Sequence, residues 1–206
     1  MQTQTSHLSR VMVANKAVFL DKDGTLVTDV PYNVNPDLIS LSENMTKGLK
    51  SLAENGYKLI VISNQSGVAM GFFEHDSLEI GQKRISMLLA EHGVEITDFY
   101  YCPHHPQGIV NEYKKKCNCR KPRAGLLYKA AEEHHIDLGK SWLIGDILDD
   151  IEAGNVAGCK TVLINNGNET EWKTGLKRIP DCMVSDINGA ADYILEVPYS
   201  IIKENE

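Results

Sequence analysis

The chain has 206 residues, a formal net charge of −7 and a hydrophobic fraction of 42%. This length suits one domain with a sizeable core, and the acidic balance argues against sequence-independent binding of nucleic acid. No apolar run approaches the roughly 20 residues that cross a bilayer, and the polar N-terminus lacks the apolar core of a signal peptide. We therefore expect a cytoplasmic protein that binds neither nucleic acid nor membrane, with a flexible segment at residues 1–14 and a single domain at residues 15–200.

Short apolar runs alternate with amphipathic helical patterns along the chain. Strands are predicted at AVFL (17–20), KLIVIS (58–63), DFYYC (98–102), SWLIG (141–145) and KTVLIN (160–165). Helices are predicted over about 42–55, 74–91, 123–134, 149–157 and 187–195. The segments 28–41, 66–73 and 102–122 are predicted to be irregular. This alternation is typical of an α/β fold with a parallel sheet.

Polar side chains follow three of these predicted strands. The first strand runs into Asp21 and Asp23, the second ends at Ser63, and the fourth runs into Asp146. Because ligands gather at the carboxyl ends of parallel strands, we expect one crevice that contains all of these groups. Ionised carboxylates in such a crevice repel one another unless a cation or a proton lies among them. Oxygen ligands at a small site suit Mg²⁺.

The first of these strand ends also carries a pattern suited to phosphoryl transfer. A carboxylate can attack phosphorus and form an aspartyl-phosphate. A second carboxyl two residues later could protonate the leaving oxygen and afterwards activate water. Gly24 allows the chain to turn sharply after the strand. The sequence DKDG could by itself be an ordinary turn, but its combination with the other two strand ends favours a phosphoryl-transfer site.

A second cluster of reactive side chains lies in the irregular segment after the third strand. Four potential metal ligands fall within residues 102–119: Cys102, His104, Cys117 and Cys119. Three thiolates and one imidazole can form a closed tetrahedral Zn²⁺ site, which would be structural and would fix this long loop. His105 is the competing imidazole, and the simpler alternative is buried free cysteines with a loop histidine. Arg120 and Lys121 follow directly, so zinc would position two cations where a phosphorylated ligand arrives.

The ordered motifs LDKDGT, Ser63, Lys121 and GDxxxD resemble those of the haloacid dehalogenase (HAD)-like phosphatases. The resemblance implies a Rossmann-like three-layer fold with a parallel sheet and, since no insert is long, no cap domain. It implies that Asp21 is the nucleophile and Asp23 the general acid/base. It further implies that Mg²⁺ is held by Asp21, the backbone carbonyl of Asp23 and Asp146, and that Ser63 and Lys121 bind the transferring phosphoryl group.

The motifs SNQSG, YCPHHPQG and CNCRKP narrow this resemblance. With LDKDGT and GDxxxD, they are similar in order and spacing to those of the D-glycero-D-manno-heptose 1,7-bisphosphate 7-phosphatases, over about residues 15–165. The resemblance implies a phosphorylated sugar substrate, recognised by Arg120, and a monomeric enzyme. It also implies that six residues line the sugar phosphate site: Asp29, Tyr32, Ser63, Asn64, Gln65 and Ser66.

Several alternatives remain open at this point. Histidinol phosphatases resemble the chain in the same loop, although theirs is usually shorter. A non-catalytic zinc-binding module and a phospho-receiver domain are alternatives from other classes. Heptose phosphatases often have a lysine directly after the last motif's first Asp, where this chain has Ile147. The sequence leaves open the anomer of the sugar and the pathway, which is lipopolysaccharide heptose synthesis or that of another glycan.

Overall fold

The computed structural model describes residues 14–196. The strands are β1 (Lys16–Leu20), β2 (Tyr57–Asn64), β3 (Asp98–Cys102), β4 (Trp142–Gly145), β5 (Lys160–Ile164) and β6 (Cys182–Val184). The α-helices are α1 (Thr46–Glu54), α2 (Ser77–Ala90), α3 (Gly125–His134), α4 (Leu148–Ala157) and α5 (Ile187–Glu196), and short 3-10 helices cover Pro36–Leu38 and Leu138–Lys140. Nearly all of the N-terminal segment predicted to be flexible, and the last four residues of the predicted domain, lie outside the described range.

The six strands form one parallel sheet in the order β3-β2-β1-β4-β5-β6. Residues 17–20 of the central strand β1 are all apolar and fully buried, because both faces of the strand are covered. Val18 and Leu20 pack into the core on the side of α1, α2 and α5, whereas Phe19 packs into the opposite core beside Leu127 of α3. Alternate side chains of one strand thus enter two separate cores. The predicted three-layer α/β fold is confirmed.

All five predicted strands and all five predicted helices are present, with changes at their boundaries. Helix α1 begins at Thr46 rather than near residue 42. The preceding residues pair elsewhere: Leu41 bridges Val27, and the Ser42 amide donates to the carbonyl of Leu26 at 3.1 Å. Strand β6 was not predicted, because its three residues are too few to show a periodic pattern.

Within the described residues, each connection between strands contains at most one α-helix and one 3-10 helix. The longest, from β3 to β4, contains only α3 and the 3-10 helix Leu138–Lys140. None of these connections is large enough for a cap domain, in agreement with the predicted capless architecture. Between residues 14 and 196, no helix has the length and apolar character needed to cross a bilayer.

Candidate active site

The neighbouring strands β2, β1 and β4 end at the same edge of the sheet, and the polar side chains predicted there converge. Asp21, Ser63 and Asp146 are 7%, 1% and 4% exposed. Carboxylate oxygens of Asp21, Asp146 and Asp150 lie within 4.8 Å of one another. Asp150 belongs to the GDxxxD motif, but sequence reasoning gave it no role. The amide of Asp21 donates to the carbonyl of Ile144 at 2.9 Å, which fixes the start of the loop after β1.

Lys121 brings a buried ammonium group into this cluster. Its Nζ contacts the carboxylate of Asp21, lies 2.6 Å from Asp150 Oδ1 and donates to the carbonyl of Ile62 at 2.9 Å. The side chain of Lys121 is only 3% exposed. One cation therefore faces three carboxylates, and the cluster retains an excess of negative charge.

The pKa values of the cluster reflect first its burial and then its charges. Burial raises the pKa of Asp21 to about 7, against the opposing charge of Lys121. Burial, followed by the charge of Asp21, raises the pKa of Asp146 to about 6. Burial alone would lower the pKa of Lys121, but the charges of Asp150 and Asp21 raise it. Carboxylates that repel one another at a strand end, with oxygen as the only ligand atom, fit a small divalent cation such as Mg²⁺.

Asp23 lies beside the cluster and faces solvent more openly. Its side chain is 30% exposed, and one oxygen contacts the ammonium of Lys22. Its other oxygen accepts a hydrogen bond from Gln65 Nε2 at 2.7 Å, and the same Nε2 lies 2.9 Å from Ser63 Oγ. Sequence reasoning did not assign a role to Lys22, whose charge would ordinarily indicate a surface residue but which is 6% exposed.

A cavity of about 250 Å³ opens next to Asp23. Its lining includes most residues predicted to contact the sugar phosphate: Asp29, Tyr32, Asn64, Gln65 and Ser66. Ser63 lies buried beside Gln65, and Arg120 Nη1 donates to Ser66 Oγ at 3.0 Å. Tyr32 adopts a left-handed backbone with φ of 54°, and its ring lies 4.5 Å from that of Phe72.

The predicted zinc ligands meet at the carboxyl end of β3. The Sγ atoms of Cys102, Cys117 and Cys119 lie 3.0–3.5 Å apart, and all five cysteines are free. His104 Nδ1 lies 3.2 Å from the Cys119 sulfur and 3.7 Å from the Cys102 sulfur. A tetrahedral zinc site with Zn–S bonds of about 2.3 Å has sulfur–sulfur separations of about 3.8 Å, so the set fits after slight expansion. His105 Nδ1 instead accepts a hydrogen bond from the Gln107 amide at 3.2 Å.

The loop that carries these cysteines is hydrogen-bonded to the loop that lines the cavity. The amides of Ile109 and Val110 both donate to the carbonyl of Ala69, at 2.8 and 3.0 Å. A Cβ atom on Gly108 would lie 2.8 Å from the same carbonyl oxygen, so the close approach requires glycine there. Hence the cysteine loop and the loop that contributes Ser66 to the cavity are held together.

The segment after β5 also reaches the site, and sequence reasoning missed it. Asn168 Nδ2 donates to Asp146 Oδ2 at 2.6 Å, and Asn166 Nδ2 donates to the carbonyl of Gly24 at 2.7 Å. The signal was present, because β5 lies next to β4 and its end carries polar residues in the same way as the three strands that were recognised.

The parallel sheet and the polar groups at its carboxyl edge define a phosphoric monoester hydrolase of the HAD type. A family model described as HAD-hydrolase-like matches residues 118–191. Two curated relatives are named D-glycero-beta-D-manno-heptose-1,7-bisphosphate 7-phosphatase. The protein from Haemophilus ducreyi is 41% identical over 75% of this chain and 86% of its own length. The protein from Escherichia coli K12 is 34% identical over 92% of this chain and 95% of its own length. The chain belongs to this family of heptose bisphosphate phosphatases.

A solved structure agrees with this assignment. The crystal structure of D,D-heptose 1,7-bisphosphate phosphatase from B. bronchiseptica, complexed with magnesium and phosphate, is 28% identical to the chain. It superposes with a TM-score of 0.75 and covers 87% of this chain and 98% of that one. The similar fold therefore holds both a magnesium ion and a phosphate in that relative.

Proposed function

We propose that this protein hydrolyses D-glycero-β-D-manno-heptose 1,7-bisphosphate at C7, with Mg²⁺, through an aspartyl-phosphate intermediate. The observation that carries the proposal is the convergence of Asp21, Asp146 and the Lys121 ammonium beside the cavity that Asp23 faces. The names of the curated relatives support the heptose substrate and its β-anomer. The magnesium and phosphate of the similar crystal structure support the metal and the transferred phosphoryl group.

The carboxylates of Asp21 and Asp146 and the backbone carbonyl of Asp23 would hold Mg²⁺, which would offset the negative charge on the phosphoryl oxygens. Lys121 already lies against Asp21, so its ammonium would face the same oxygens. Asp150 holds Lys121 from the other side. The charged groups of the site are thus arranged before substrate arrives. Such preorganised charge supplies most of the rate enhancement in phosphoryl-transfer enzymes.

The reaction would proceed in two displacements on phosphorus. In the first, a carboxylate oxygen of Asp21 forms a bond to phosphorus while the bond from phosphorus to the C7 oxygen breaks. Asp23 gives its proton to that leaving oxygen. In the second, Asp23 takes a proton from water, the water oxygen bonds to phosphorus, and the bond to Asp21 breaks, which releases inorganic phosphate and restores both carboxyl groups.

Substrate recognition would use the cavity and the residue after the cysteine loop. The hydrogen bond from Arg120 to Ser66 places the guanidinium at the edge of the cavity that Ser66 lines. Asp29 and Tyr32 line the same cavity and would contact the sugar. Arg120 would attract a phosphorylated sugar, because a guanidinium binds phosphate oxygens with two parallel hydrogen bonds.

Cys102, His104, Cys117 and Cys119 would hold a structural Zn²⁺ ion. Their donor atoms lie close enough to fit the tetrahedral geometry, and four protein ligands leave no open position for a reaction. The ion would fix Cys119, and with it Arg120 and Lys121, which follow directly in the chain. Zinc would therefore act on catalysis only through the position of these two cations.

The test is phosphate release with Mg²⁺ from the α- and β-anomers of the heptose 1,7-bisphosphate and from histidinol phosphate. Asp21→Asn serves as the blank, since its side chain cannot act as the nucleophile. We expect the β-anomer to be preferred and the variant to be inactive. Preference for histidinol phosphate would contradict the proposed substrate. Turnover by the folded Asp21→Asn variant would contradict the proposed mechanism. A non-catalytic module would release phosphate from none of the three.

A further inference from the structure

The segment that follows β5 contacts three separate parts of the active site. Asn166 holds the carbonyl of Gly24 in the loop after β1, and Asn168 holds the carboxylate of Asp146 after β4. Glu169 Oε2 accepts a hydrogen bond at 2.7 Å from the amide of Leu148, the first residue of α4. These three contacts come from four consecutive residues that belong to none of the recognised motifs.

The contact between Asn168 and Asp146 is the most closely fitted of the three. Asp146 is 4% exposed, and its Oδ2 accepts from Asn168 Nδ2 at 2.6 Å. A Cβ atom on Gly24 would overlap both Asp146 Oδ2 and Asn168 Nδ2. Because Gly24 has no side chain, space is left for this hydrogen bond. The backbone of Gly24 is held in place by Asn166, whose Nδ2 donates to the Gly24 carbonyl.

Within residues 14–196, only two side chains donate a hydrogen bond to Asp146. Thr25 Oγ1 lies 3.3 Å from Oδ1, a long distance, whereas Asn168 makes the short bond to Oδ2. Ile147, the next residue in the chain, brings no charge to this carboxylate. Among these side chains, Asn168 therefore contributes most to the orientation of the Asp146 carboxylate, and its own backbone amide donates to Asn166 Oδ1 at 3.2 Å.

We propose that Asn168 is a positioning residue of the metal site, which fixes the plane of the Asp146 carboxylate for a divalent cation. This rests on the proposed role of Asp146 as a Mg²⁺ ligand. Carboxylates that bind metals are commonly oriented by a hydrogen-bonded neighbour, and loss of that neighbour weakens metal binding by about 10- to 100-fold. An amide suits this task because it donates a hydrogen bond without adding a charge that would compete with the cation.

The side chain of Asn168 is easily replaced without disturbing the core. Residue 168 is exposed and lies in an irregular segment, so Asn168→Ala should fold. Asn155→Ala is the matched control, because Asn155 Nδ2 holds the far end of the same segment through the carbonyls of Lys177 and Ile179, at 3.0 and 2.9 Å. The control loosens the segment without removing the hydrogen bond to Asp146.

The experiment measures binding of Mn²⁺ to the zinc-loaded, substrate-free protein from the paramagnetic resonance signal of the free ion, with Mg²⁺ as the competitor. We expect the dissociation constants of both ions to rise about 10- to 100-fold in Asn168→Ala and to change less than about twofold in Asn155→Ala. Unchanged binding in Asn168→Ala, or an equal loss in both variants, would overturn the inference.

Hydrolysis of the heptose bisphosphate by the wild type is measured in parallel. If the wild type hydrolyses the heptose bisphosphate and Asn168→Ala binds metal normally, only the role of Asn168 is refuted. If the wild type binds metal more tightly than Asn168→Ala but releases no phosphate, only the proposed function is refuted. Raising the Mg²⁺ concentration should restore much of the turnover of Asn168→Ala, which a general loss of folding would not allow.

Discussion

The side chain of Asn64 is hydrogen-bonded to both the backbone amide and the backbone carbonyl of Lys121, which lies 57 residues further along the chain. Its Oδ1 accepts from the Lys121 amide at 3.0 Å, and its Nδ2 donates to the Lys121 carbonyl at 3.1 Å. Because both polar atoms of Asn64 are used in this way, its contribution to the site is to fix the residue that carries the buried ammonium.

We therefore predict that Asn64→Ala lowers kcat by about 10- to 100-fold, because a displacement of about 1 Å in a catalytic group can cost this much. The measurement is steady-state phosphate release, with circular dichroism as a check on folding. Asn55→Ala is the control, since Asn55 caps the exposed end of α1 and its side-chain amide donates to the carbonyl of Ser51 at 2.9 Å. A kcat equal to that of the wild type would show that Lys121 keeps its place without Asn64.

Lys121 compensates two buried carboxylates, so its removal should destabilise the fold as well as abolish activity. We predict that Lys121→Met lowers the free energy of unfolding by about 3–5 kcal/mol, the usual cost of leaving buried charge unpaired. Urea denaturation gives this value. The double variant Lys121→Met/Asp150→Asn should recover part of the stability but no turnover.

Lys140→Met provides the control for that comparison, because Lys140 pairs with Asp137 at the surface. Its effect should stay within about 1 kcal/mol, as for exposed ion pairs generally. Equal losses in Lys121→Met and Lys140→Met would contradict a structural role for the buried pair.

The cysteine cluster predicts a defined metal content. The protein purified without chelator should contain about one zinc ion per chain, and Cys119→Ser should contain far less, because a hydroxyl is a poor zinc ligand. Elemental analysis measures this ratio. Cys182→Ser is the matched control, since Cys182 lies in β6, outside the cluster. Zinc retained at the wild-type level in Cys119→Ser would remove that residue from the ligand set.

The pKa values of Asp21 and Asp146 predict how stability depends on pH without Mg²⁺. Both are raised from an ordinary value near 3.8, to about 7 and about 6. The folded state therefore binds these protons more tightly than the unfolded state, so their contribution is least unfavourable below pH 4. It becomes more unfavourable as the pH rises through about 6 and 7.

Asp21→Asn removes the larger of these two contributions. In Mg²⁺-free buffer, the Tm of this variant relative to the wild type should increase between pH 5 and pH 8. Added Mg²⁺ should raise the wild-type Tm more at pH 8 than at pH 5, because protons compete with the cation for the same oxygens. A difference in Tm that stays constant across this range would contradict the raised pKa of Asp21.

The sequence was most informative where strands end. Asp21, Ser63 and Asp146 could be predicted to converge, because apolar runs identify parallel strands and the ligand edge of such a sheet is known. The cysteine cluster could be predicted for a different reason, since few arrangements other than a metal site place three thiols and an imidazole in one loop. Both predictions use patterns that are local in the chain.

The residues that were missed depend on contacts between distant segments. Lys22 reads as a solvated lysine, and only the fold shows it buried against Asp23. Asn166 and Asn168 lie in a long segment without periodicity, whose path is set partly by ion pairs from Arg178 to Asp149 and Glu152 of α4. Short strand β6 was missed because it forms by pairing with β5 rather than from its own pattern.

The carbonyl of Ala69 accepts hydrogen bonds from the amides of both Ile109 and Val110. This contact determines which segments of the enzyme must be exchanged together in protein engineering. The carbonyl belongs to the loop of residues 66–73, and the two amides belong to the loop of residues 102–122. A single loop taken from another phosphatase would therefore bring only one side of these hydrogen bonds. Transplanting either loop alone should leave the two amides or the carbonyl unpaired. A graft that alters substrate choice should therefore exchange both loops together, as one interchangeable module.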